Sequence, residues 1–146
     1  MIRLECQELE RNPGELGTYL YCRAAVEDGG FTGWTRFVIA EQTWDEFSRQ
    51  LAAYAQEPNS PVDLRAGWGD EVYFELELEP PDSRGHVWIS GCVASPIRAR
   101  VQVNPPVSHV LHFAYEIDMA TLDRVVSDCS RFKADGAIIE VEGLPT

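Results

Sequence analysis

Apolar and polar residues alternate with a period of two over much of the chain, the mark of strands with one buried side and one wet side. Ile2, Leu4 and Cys6 alternate with Arg3, Glu5 and Gln7, and Leu20, Cys22, Ala24 and Val26 with Tyr21, Arg23 and Ala25. A third strand runs from Trp34 through Phe37 and Ile39. The clearest alternation sets Val72, Phe74, Leu76 and Leu78 against Tyr73, Glu75, Glu77 and Glu79. It predicts that the four apolar residues are buried under a helix carrying Phe47 and Leu51. The three glutamates are then solvated or matched by Arg on a neighbouring strand, with Arg23 and Arg36 as the expected partners. Val87, Ile89, Gly91 and Val93 alternate with His86, Trp88, Ser90 and Cys92. Further strands are expected at 98–103, at 109–117, where Leu111, Phe113, Tyr115 and Ile117 share a face, and through Ile138–Val141.

In two segments the period changes to that of a helix. Trp44, Phe47, Leu51 and Tyr54 recur at helical spacing, and Thr43-Trp44-Asp45-Glu46 reads as a capping box with Thr43 as N-cap. Pro58 stops this helix, predicted over 43–56. Leu122, Val125, Val126, Cys129 and Phe132 form a second stripe, predicted over 119–134. Asp118 or Thr121 caps its start, Gly136 lies just past its end, and Arg131 and Lys133 complement the dipole of its last turn. Strands and helices do not alternate singly, so a parallel βαβ sheet is disfavoured. The expected architecture is one α+β domain over 1–146: a curved antiparallel sheet of about six to eight strands, with both helices on one face. A sheet of that size curls or splits.

The 146-residue length supports a core without disulfide or metal staples. The net charge of −12 argues against a broad nucleic-acid-binding face, which needs clustered cations. No apolar run approaches the 18 residues of a transmembrane helix, and the start MIRLECQELE has no basic-then-apolar secretory pattern. A cytoplasmic protein is expected. Cys6, Cys22, Cys92 and Cys129 form no CxxC pair, so free, buried thiols are expected rather than a zinc or redox motif. The acidity is uneven. Residues 1–82 hold 17 acids and 6 Arg, a net of −11, whereas 83–146 hold 7 acids and 6 bases, a net of −1. Such a half is either a solubility feature or a surface that attracts a basic partner.

Candidate chemistry is sparse. His109 and His112 are three apart, so on a strand they face opposite ways and share no metal, and neither HxH nor HExxH occurs. His86, Ser90 and Cys92 lie on one strand face, where a nucleophile is geometrically possible but lacks the sharp elbow that exposes one. Glu75, Glu77 and Glu79 follow one another at i, i+2, about 7 Å apart along a strand; that spacing suits a glycosidase acid and base, but three like charges on one open strand face are usually a solvated face or one matched by Arg. Asp28-Gly29-Gly30 and Gly67-Trp68-Gly69-Asp70 read as hairpin turns and match no phosphate loop. Trp68, held between two glycines beside Asp70, is expected to be exposed; it serves either a protein-binding patch or packing of the turn and core.

The segments TWDEFSRQLAAY, VDLRAGW, VYFELELEP, RGHVWISGCV and HFAYEIDMATLDRVVSDCSRF, in that order, resemble the WapI-type immunity proteins of bacterial contact-dependent toxin systems and related uncharacterised bacterial domains. The matching residues are Arg84-Gly85-His86-Val87, Gly91, and Phe113 to Leu122 with Asp118 before the last helix, and the resemblance spans about 37–132. Met119-Ala120 departs from the polar pair usual there, and 136–146 has no counterpart. The resemblance implies a small cytoplasmic, non-enzymatic protein that binds and neutralises a basic toxin domain without a cofactor. Trp68, Asp70, Glu75, Glu77 and Glu79 are the partner-binding candidates. The alternatives are an enzyme with a site near His86 and Cys92, or a small-ligand-binding domain using the curve of its sheet.

Overall fold

The computed structural model describes residues 1–11, 17–68, 71–96 and 108–145, with the backbone alone at Trp68, Ser95, Pro96 and Ser108. The elements are β1 (Ile2–Arg11), β2 (Thr18–Asp28), β3 (Phe31–Ala40), α1 (Glu41–Gln56), β4 (Val62–Trp68), β5 (Glu71–Leu78), β6 (Val87–Pro96), β7 (Ser108–Ile117), α2 (Met119–Ser130) and β8 (Ile138–Val141). The fold is α+β. All eight strands belong to one antiparallel sheet in the order β7-β6-β5-β4-β3-β2-β1-β8. The expected strand at 98–103 lies outside the described residues.

Two meanders, β1–β2–β3 and β4–β5–β6–β7, meet at β3 and β4, where a single described register pair, Val38 with Gly67, joins them. The sheet is strongly curved rather than split. A Cβ added to Gly33 on β3 would sit 3.1–3.2 Å from Leu111 on β7 and Val93 on β6, strands that are not its ladder neighbours. The two edges also approach each other. Leu144 N, in the tail after β8, donates to Glu116 O on β7 at 2.8 Å, and Tyr115 Oη donates to Glu27 O at 3.3 Å.

The apolar phase of each strand turns into this curve, and both helices fill it from the same side. Phe47, Leu51, Leu122, Val125 and Cys129 meet Ile2, Leu4, Leu76, Leu78, Ile89 and Ile117 around a residual void of about 20 Å³. Trp44 ties the helices together: its ring lies 4.5 Å from that of Phe132, and its Nε1 donates to Cys129 O at 3.1 Å. Phe37 of β3 stacks on Phe74 of β5 at 5.0 Å and 9°.

Several local expectations are corrected. Helix α1 begins at Glu41 rather than Thr43, because β3 runs straight into it through Ala40, an N-cap without a side-chain bond. Thr43 is therefore inside the helix, and Glu46 pairs with Arg49 and Gln50 instead of closing a capping box. Helix α2 ends at Ser130, four residues short of expectation, although its start is as read: Asp118 accepts from Thr121 N at 2.7 Å. Gly136, at φ +79°, then serves a later turn, donating to Cys6 O at 2.7 Å. Lys133 bridges Glu41 and Asp45 of α1, both at 3.0 Å, rather than serving the end of α2.

Candidate functional site

Of the partner-binding candidates, Glu75 and Glu77 sit on the outer face of β5, and Glu79 follows just past its end. Antiparallel pairing places Arg65 opposite Glu75 and Asp63 opposite Glu77, and on the other side Cys92 opposite Glu75 and Ser90 opposite Glu77. Arg65 bridges Glu75 at 3.3 Å and reaches Asp63 at 3.8 Å. Arg23 and Arg36, the expected partners of the glutamates, are on β2 and β3 and pack on Trp34 instead. Period-two reasoning placed them on the right face of the sheet and could not order the strands.

Among the described residues, Glu77 has no such cation. A hydrogen bond with the Glu79 carboxyl, partial burial, and the charges of Glu79, Glu75 and Asp63 together raise its carboxyl above the usual range. Among the described residues, four carboxylates thus share one guanidinium along this strip. Glu79 is held at the strip's end, where Tyr54 Oη of α1 donates to its carbonyl oxygen at 2.5 Å.

Trp68 is the last residue of β4 and pairs with Glu71. Asp70 lies outside the described residues, so the hairpin tip is known from its flanks. There Tyr73 Oη donates to Glu71 at 2.6 Å, and Val72 is 45% exposed. That exposure corrects the expected burial of Val72. The register slips between Ala66, opposite Phe74, and Gly67, opposite Val72, and this bulge turns Val72 off the core phase kept by Phe74, Leu76 and Leu78.

His86 and Cys92 are not brought together. They are separated along β6 by roughly 16 Å or more, from the rise per residue of a strand. His86 Nδ1 lies between Asp82 Oδ2 at 3.4 Å and Glu116 Oε1 at 3.6 Å. The Arg84-Gly85-His86 motif is a turn built on Asp82, whose Oδ1 accepts from Arg84 N and His86 N at 2.8 and 3.0 Å. Gly85 supplies the positive φ of +82°. Hydrogen bonds from the His86 and Arg84 amides hold the Asp82 carboxyl below its ordinary range. Burial, with the nearby Glu75 charge, pushes the Cys92 thiol up, away from the reactive thiolate. The four cysteines are free thiols, with Cys6 directly opposite Cys22 across β1 and β2. Burial pushes Cys129 up to about 12. Among the described residues, no three His, Cys, Asp or Glu converge as metal ligands, and no helix is long and apolar enough to cross a membrane.

The outer face of β1–β3 carries a second constellation that the sequence reading did not single out. Trp34 is 54% exposed, with the guanidinium carbons of Arg23 and Arg36 5.0 and 5.6 Å from its ring centre. The signal was available: Trp34 and Arg36 are two apart, in the phase opposite to buried Phe37 and Ile39. The chain matches no family model, no curated protein and no solved structure.

Proposed function

We propose that this chain is a non-enzymatic acidic binding protein, an immunity protein that neutralises a bacterial toxin domain in the cytoplasm by direct binding. The observation that carries the reading is the carboxylate strip Asp63, Glu75, Glu77 and Glu79, held together against its own repulsion on an open strand face, with Arg65 as its cation. A basic surface laid on the strip relieves that repulsion. Toxin domains that act on nucleic acid carry such surfaces, because phosphate binding requires them. The net of −11 in residues 1–82 supports long-range steering of a cationic partner toward this half. Val72, 45% exposed beside the hairpin, extends the contact surface, and Trp68 and Asp70 are the candidates that the sequence adds to it. The family resemblance in 37–132 supplies the biological setting.

The test is the association rate with a purified basic toxin domain from the same genetic locus, followed at low and high salt. Rim carboxylates act on encounter, so the on-rate falls steeply with salt and with charge reversal at Glu75 and Glu77, while the fold is kept. Trp68→Ala raises the off-rate, as loss of a desolvated aromatic contact does. An on-rate flat in salt and indifferent to the reversals leaves the acidic half as a solubility feature and removes the physical support for this function.

A further inference from the structure

A pair of opposed cations on this acidic surface points to a ligand other than a basic protein. Arg23 and Arg36 are directly opposite each other in the β2–β3 ladder, an arrangement of like charges that destabilises a sheet unless something offsets it. Among the described residues, neither guanidinium has a carboxylate within ion-pairing distance, although Glu5 is opposite Arg23 on β1. What holds the pair is the ring of Trp34, which both guanidinium groups approach. Cation–π contact fixes their place and leaves their N–H forks unpaired.

Beside this group the surface is concave. Trp34 faces Ala25 across the ladder, and the small side chain leaves a floor rather than a ridge. The depression of about 370 Å³ is lined by Arg3, Arg23, Ala25, Glu27, Thr32 and Trp34. Its volume is within the roughly 300–1,000 Å³ of small-molecule sites. Arg3 at its margin is paired with Glu140 at 3.6 Å, and the Met1 ammonium donates to Glu27 O at 2.7 Å and Tyr115 Oη at 3.2 Å, while Arg23 in the lining and Arg36 directly opposite it in the ladder keep their guanidinium forks unpaired among the described residues.

We infer that the Arg23–Trp34–Arg36 group and its adjoining depression form a binding site for a nucleoside phosphate. The phosphate engages the two guanidinium forks and the planar base lies against Trp34. Each part of that ligand answers an observation. A phosphate accepts bidentate bonds from Arg and offsets the opposed charges. A heterocycle uses the exposed indole, which a bare inorganic anion does not. This site is on β2 and β3, on the same outer face of the sheet as the Asp63–Glu79 strip of β4 and β5 but on different strands, and it stands independently of the toxin-binding reading.

The experiment is calorimetric titration of the full chain with adenosine diphosphate, adenosine, inorganic phosphate and a short single-stranded oligonucleotide. The expected result is saturable binding of the diphosphate, with adenosine and phosphate each at least about tenfold weaker, as expected when one of two contact types is missing. Arg36→Gln and Arg23→Gln each weaken the diphosphate by about tenfold, the scale of one lost charge-assisted bond. Trp34→Leu reduces its affinity to that of phosphate alone. All three positions are at the surface, and an unchanged melting temperature shows that the variants fold. No saturable binding by the diphosphate overturns the proposal, as does equal binding by inorganic phosphate. Oligonucleotide binding that exceeds the diphosphate and grows with length also overturns it, in favour of a nucleic-acid surface.

Discussion

Gly91 shows how much a single position carries. It lies in the ladder between Leu76 on β5 and Phe113 on β7. A Cβ there would run into the Glu75 carbonyl and come within 2.9 Å of the Phe113 ring. The neighbouring backbone, rather than a flexible side chain, blocks the space, so the strand must move. Gly91→Ala is expected to cost about 3 kcal/mol or more in a denaturant titration. Glu77 is the opposite case, a residue whose charge works against the fold. Its carboxyl is raised, so the folded state holds the proton more tightly than the unfolded one and stability grows as pH falls through that range. Glu77→Gln should therefore raise the melting temperature at neutral pH, and the gain should vanish once acid has protonated the wild-type group. A gain that persists unchanged at low pH would point to packing rather than repulsion.

Helix α2 depends on its start. Asp118 accepts from Thr121 N, and the same hydrogen bond holds its carboxyl below the ordinary range. The stabilisation is present above the unfolded carboxyl pKa and is lost as pH falls through the depressed folded value. Asp118→Ala should lower the melting temperature by roughly 2–4 °C at neutral pH, and by less in strong acid. At this scale the sequence was legible where period and cap agreed, as at Asp118 and along Phe74, Leu76 and Leu78. It was not legible where one residue changed phase. Val72 continues the alternation perfectly on paper, and only the bulge opposite Ala66 and Gly67 turns it outward. Thr43 offered a good cap, yet β3 entered α1 without needing one.

The candidate site shows the same division for the molecule as a whole. The glutamate face of β5 could be read from alternation, but its ion-pair partner Arg65 was missed: the hairpin turn read at Gly67–Asp70 implies a strand before β5, yet the alternation was not followed into 62–68. Strand order decides what the core must do. The stack of Phe37 on Phe74 spans the place where the two meanders join, so Phe74 belongs to both. Phe74→Ala is expected to cost about 3–5 kcal/mol, measured by thermal or denaturant unfolding. A shift near zero would mean that the meanders are held elsewhere.

The thin join at β3 and β4 has a kinetic meaning. One described register pair crosses it, against ten between β2 and β3 and ten between β6 and β7. Backbone bonding therefore resists opening within each meander far more than between them, and side chains such as Phe37 and Phe74 carry the load across the gap. Partial opening should start there, as two cooperative units that separate before either melts. Native-state hydrogen exchange reads this directly. Amides of β2 should exchange as one group with their neighbours in β1 and β3, those of β6 as another with β5 and β7, and Val38 and Gly67 ahead of both. A single exchange free energy over all eight strands would show instead that the curved sheet opens only as a whole.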